Sequence, residues 1–163
     1  NRSRPLDKQP EIIDYYAALV DLETGKVENE WNYLIKPSKK IPAIITKITG
    51  YVDSDFDDAP PFGEVAEDII DGLAEANVVI AHNFSFDMEM VDIELERLGR
   101  EVVWPKRAIC TVEQTIHLQG YRLTLMGMHE LLFGEKFDEA HKAKPDTQAL
   151  IRCAVELRSK GVI

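Results

Sequence analysis

Residues 12–35, IIDYYAALVDLETGKVENEWNYLI, constrain the fold more than any other part of the chain. Ile12 to Val20 is an apolar, β-favouring run with two tyrosines, the pattern of a strand buried on both faces. From Val27 to Ile35 the pattern alternates. Val27, Trp31, Tyr33 and Ile35 share one face, and Glu28, Glu30 and Asn32 the other, which is the signature of a half-buried strand. Only DLETGK separates the two runs, so they form a hairpin. Asp21 and Glu23, one residue apart at a strand end, have the look of a metal-holding carboxylate pair. The next strand begins almost at once, however. The pair is therefore expected on a solvent-facing turn, with Gly25 serving its tight geometry.

The remaining pattern mixes helices and strands. Residues 38–60 read as a long connection containing KITGY and the acidic DSDFDD. Pro61 is a good first residue for a helix, and Phe62, Val65, Ala66, Ile69, Ile70 and Leu73 follow helical spacing to about Ala76. Val78–Ala81 is a short apolar strand. Phe84, Met88, Val91, Leu95 and Leu98 form a helical seam that ends at Gly99. A further short strand is expected at 108–111. Thr124 can cap a helix running to Phe133, and a last helix runs from about Pro145 to Lys160. Hairpin, helix, strand, helix, strand and helices in that order make a single α/β domain over residues 1–163. Its mixed sheet is antiparallel at one side and parallel at the other, with flanking helices.

Composition narrows the function. A net charge of −10 argues against sequence-blind binding to duplex, which needs a broad basic surface. It leaves room for an enzyme that grips a few nucleotides through metal ions. No apolar run approaches the ~20 residues of a membrane span, and no stretch reads as a signal peptide. Cys110 and Cys153 are expected as reduced thiols, so the protein is placed in the cytoplasm.

Two segments carry chemistry. In VVIAHNFSFDMEM a strand ends in His-Asn, and Asp87 falls in the first turn of the helix that follows. There the exposed amides and the helix dipole favour a carboxylate, at the strand end where α/β sheets hold ligands. In AHKAKPDTQAL, His141 lies just ahead of a helix whose first position suits Pro145, with Asp146 in its first turn. Such a His can hold a water beside a carboxylate-bound metal. Each segment alone is better explained structurally: Asp87 by capping its helix, and His141 and Asp146 by a surface His and another N-terminal carboxylate.

Taken together, HNFSFD, HKAKPD, the upstream KITGY and YRLTLMGMHELLFG resemble the DEDDh-type 3′–5′ exonucleases, a family that includes the proofreading epsilon subunit of bacterial DNA polymerase III. The resemblance runs from Ile12 to Gly161. It implies a ribonuclease-H-like fold and a mechanism in which four carboxylates hold two ions, Mg²⁺ or Mn²⁺. It further implies that Asp87 and Asp146 are metal ligands and His141 the general base. By the same resemblance Ile48, Thr49 and Gly50 contact the 3′-terminal nucleotide, and Asn83 and Phe86 shape its pocket. Lys142 and Lys144 are read as solvated surface residues, with phosphate contact the alternative. The implied partners are a single-stranded DNA 3′ end (or RNA) and a DNA polymerase subunit.

The family's first two acidic residues come as Asp-x-Glu on a strand ahead of its hairpin. Since 12–35 already is the hairpin, that strand is expected before Asn1. Two other readings follow: an RNA-trimming enzyme of the same family, and an inactive nucleic-acid- or polymerase-binding module.

Overall fold

The computed structural model describes residues 4–163. The hairpin forms as expected. Strand β1 (Asp14–Val20) pairs antiparallel with β2 (Val27–Leu34), with Asp14 opposite Leu34 and Val20 opposite Val27. Residues 21–26 close the turn. The Gly25 N–H donates to the Asp21 carbonyl at 2.7 Å, and the Asp21 N–H donates to the Lys26 carbonyl at 3.0 Å. Gly25 has φ +75°, a left-handed conformation that a side chain would strain.

The alternation of β2 is explained by what covers it. Helix α2 (Phe62–Glu75) lies against the hairpin face that carries Tyr15, Tyr33 and Ile35, and shares a core with them. Gly72 allows the close approach: a Cβ there would meet the Trp31 ring at 2.7 Å. The other face is covered by α6 (Ala143–Ser159), where Lys144 Nζ sits 5.5 Å from the centre of the Tyr16 ring. β1 is thus enclosed between helices, as its continuous apolar run demands.

The second half of the molecule pairs β3 (Val78–Ala81) in parallel with β4 (Arg107–Cys110). The crossover between them is α3 (Phe84–Arg97), whose Val91 and Leu95 join the core beneath α2. On the opposite side Met128 of α5 (Leu125–Phe133) packs with Leu123 and with Cys153 and Leu157 of α6 in a second core. Leu157 is fully buried there, so Leu157→Ala would cost ~2–5 kcal/mol. The Thr124 hydroxyl accepts the Gly127 N–H at 3.0 Å, the expected cap of α5. Both cysteines are free, and burial pushes the Cys153 thiol up to about 12.

Three expectations are corrected. The connection 38–60 contains a helix, α1 (Ala43–Thr49), and a 3₁₀ turn at Asp53–Phe56. Its IITKIT sequence is rich in β-branched residues, which hid the helix from propensity. Helix α4 (Thr111–Gln119) starts directly after β4 with no intervening loop to announce it. α6 begins at Ala143, two residues before Pro145; a proline in the first turn is tolerated because its missing N–H would have no intrahelical partner.

The sheet has one further feature. Among the described residues β1 pairs with β2 and β3 with β4, and no ladder joins the two pairs. All four residues of β3 are half-exposed, although α2 and α3 share one core above the sheet layer. Among the described residues no helix is long and apolar enough to cross a membrane.

Candidate active site

Asp87 stands in the first turn of α3. The turn into that helix is tight. Asn83 adopts φ +74°, and its carbonyl accepts the Phe86 N–H at 2.9 Å, so the helix starts immediately after the strand. Asn83 is one of the few residue types that take this conformation readily. The Asp87 side chain keeps one side open to solvent while protein atoms crowd its carboxyl on the other. This desolvation pushes its pKa up to about 6, against an opposing hydrogen bond from its own backbone N–H. Its charge is felt by Tyr15 on β1, whose hydroxyl is raised first by burial, then by Tyr33 and by Asp87.

Asp146 stands in the first turn of α6, half-buried. Its two carboxylate oxygens accept the backbone N–H of His141, at 3.1 and 3.2 Å. His141 adopts φ +73° and is exposed. The helix-start carboxylate therefore reaches back to fix the loop that carries the imidazole. Burial raises the Asp146 pKa; the His141 amide and the His141 charge lower it, and the nearby Asp14 charge raises it.

Both carboxylates are thus short of stabilisation for their ionised forms, a state that a bound cation relieves. Two carboxylates do not balance two divalent ions. Among the described residues no group of three or more His, Cys, Asp or Glu side chains gathers to hold a metal.

Of the other predicted residues, Ile48 and Thr49 end α1 and Gly50 caps it with φ +80°. Ile48 is 47% exposed and Phe86 59% exposed, two large apolar side chains turned to solvent. Lys142 pairs with Glu139 at 3.0 Å, and Lys144 approaches Glu30 at 3.9 Å. Asp21 and Glu23 lie in the β1–β2 turn. The Asp21 Oδ1 accepts the Glu23 N–H at 2.8 Å, and this bond holds its carboxyl below the usual carboxylate range. Two residues near the site were missed from sequence. Asp14 accepts both the Tyr51 hydroxyl, at 3.0 Å, and the Ala143 N–H, at 2.8 Å. The available signal was Asp14 itself, a charge inside an apolar run, which needs a partner when it folds. His82, beside Asn83, is held on both ring nitrogens, by the Thr111 hydroxyl at 2.9 Å and the Leu123 carbonyl at 3.0 Å.

Comparison with known proteins identifies the family. The family model described as Exonuclease (RNase_T) matches residues 4–154. The 3′-5′ exonuclease DinG of Bacillus subtilis is 29% identical over 161 residues, covering 94% of this chain and 16% of that protein. DNA polymerase III subunit epsilon of Pasteurella multocida is 30% identical over 112 residues, 64% of this chain and 43% of that protein. The chain thus spans less than half the length of these relatives. Among solved structures, the nuclease domain of 3′hExo, a DEDDh family member, bound to rAMP superposes with a TM-score of 0.76 at 20% identity, covering 93% of this chain and 82% of that one. Exonuclease X in complex with 5′ overhanging duplex DNA gives 0.66 at 18% identity, covering 92% and 84%. The chain belongs to the RNase_T exonuclease family and has the ribonuclease-H-like fold of DEDDh 3′-exonucleases.

Proposed function

We propose that the chain is the nuclease domain of a metal-dependent 3′–5′ exonuclease that removes nucleotides from single-stranded DNA ends, in proofreading or repair. One observation carries the reading: two helix-start carboxylates, Asp87 and Asp146, are both raised in pKa, and one of them fixes the loop of an exposed His. Asp87 and Asp146 would hold the cations. The chemistry supplied by bound Mg²⁺ or Mn²⁺ is polarisation of the scissile phosphate and a lower pKa for the attacking water.

The chain's own residues do the rest. His141 takes the proton from the water, a role for which an exposed imidazole nitrogen is well suited. Its left-handed backbone and the Asp146 bond limit where the ring can sit. Ile48 and Phe86 offer apolar surface to the terminal base, and Thr49 and Gly50 offer backbone to its sugar. DNA is favoured over RNA because relatives matched over most of this chain include a DNA polymerase of the PolC type.

The reading calls for one more strand, paired between β1 and β3. The two separate ladders and the half-exposed β3 support it. An Asp-x-Glu on that strand would bring the carboxylates to four, consistent with a set that is incomplete among the described residues. That incompleteness also favours a second reading, a binding module without activity. The test is incubation of the full-length protein with a 5′-labelled single-stranded DNA oligonucleotide and Mn²⁺. A ladder shortening from the 3′ end supports the exonuclease. Bound but intact DNA supports the module, and faster shortening of the matching RNA overturns the DNA preference.

A further inference from the structure

We propose that Asp14 is a positioning residue that ties the 3′-end segment and the His141 segment into one frame. A single oxygen does the tying. Asp14 Oδ2 accepts the Tyr51 hydroxyl at 3.0 Å and the Ala143 backbone N–H at 2.8 Å. Tyr51 directly follows Ile48–Gly50, and Ala143 is the first residue of α6, between His141 and Asp146. The residues on either side of the tie are themselves restrained. The Tyr51 ring meets Phe56 edge-on at 5.5 Å, and Phe56 is 1% exposed. Lys142 Nζ lies 5.7 Å from the centre of the same ring, and the Tyr51 N–H donates to the Thr49 hydroxyl at 3.2 Å. On the other side, the Ala143 N–H is one of the four amides that a helix start leaves without an internal partner, and here a strand 129 residues away supplies one. β1 lies between two helical layers, so Asp14 is a firm anchor for both segments.

The functional consequence rests on reading those segments as the nucleotide pocket and the proton-accepting loop; the tie itself does not. If both are referred to one carboxylate, the distance from terminal nucleotide to imidazole is set by Asp14. Small misplacements of reacting groups are costly, about 100-fold for 1 Å.

The test has two arms, both on the full-length protein. In the first, backbone amide resonances are recorded without metal or substrate. Tyr51→Phe removes one donor from Asp14 and is expected to shift the Ala143 and His141 amides as well as residues 49–52. Shifts confined to 49–52 would overturn the tie, whether or not the protein is a nuclease. In the second arm, single-stranded DNA turnover is measured for Asp14→Ala, Asp14→Asn, Tyr51→Phe and the Asp14→Ala/Tyr51→Phe pair. Asp14→Ala is expected to lower kcat by about 10- to 100-fold, with Asp14→Asn, which keeps an acceptor oxygen, recovering part of it. Tyr51→Phe is expected to raise KM while changing kcat little, and to add nothing once Asp14 is Ala. Independent, multiplying effects, or a lowered melting temperature with kcat and KM unchanged, would contradict the proposal.

Discussion

The turn at 21–25 and the two helix starts at Asp87 and Asp146 hold similar residues in opposite states. Asp21 spends its charge locally: it accepts the Glu23 N–H, and its pKa falls. Asp87 has no such set of donors, and desolvation raises its pKa to about 6. Asp146 is also raised, despite the His141 amide. A carboxylate that already has its partners shapes the backbone. One whose carboxyl is crowded, as at Asp87 and Asp146, leaves its ionised form poorly stabilised.

The largest effect that would break this contrast is at Asp146. Asp146→Ala removes a proposed metal ligand and both acceptors of the His141 amide, and is expected to abolish nuclease activity on single-stranded DNA. Activity within about tenfold of the parent would show that Asp146 only caps its helix. Next comes His141→Ala, expected to lower kcat by ~10²–10⁴-fold with much less change in binding of the DNA end. An acidic limb of the pH–rate profile that survives this substitution would assign the base elsewhere.

The pH dependence of stability sharpens the contrast, because the two regions have opposite signs. For Asp87 the folded pKa, about 6, lies above its ordinary value of 3.8. Its contribution to metal-free stability is therefore fully present below pH ~4 and is lost as pH rises toward 6. Asp87→Asn should raise the melting temperature of the metal-free protein at pH 7 relative to the parent, and leave it unchanged near pH 4. Asp21 has a lowered pKa, so its contribution is present above ~4 and fades as pH falls. Asp21→Ala should lower the melting temperature slightly at pH 7, with the difference vanishing in acid. The same sign at both positions, read by calorimetry across pH, would remove the distinction. The smallest expected effect is on turnover in Asp21→Asn/Glu23→Gln, which should match the parent closely.

Much of this was legible in the sequence because it depends on local pattern. The hairpin and its turn follow from two apolar runs six residues apart. The Val78–Ala81 strand is reproduced residue for residue, and Thr124 caps α5 as read. What escaped depends on distant partners or on ambiguous propensity. α1 is a helix written in β-branched residues and closed by a left-handed Gly50. α6 starts before its proline because Asp14, far away in sequence, satisfies the Ala143 amide. Pairing between strands distant in sequence leaves no local trace, so only the resemblance, with its strand expected ahead of the hairpin, pointed to the separation of the two ladders.

The contrast between the two regions is tested most directly by Mn²⁺ titration of the full-length protein, followed calorimetrically, in two double variants. Asp21→Asn/Glu23→Gln should bind Mn²⁺ as the parent does, whereas Asp87→Asn/Asp146→Asn should lose tight binding. Loss in the first variant with retention in the second would contradict the account, and would make DLETG the metal site.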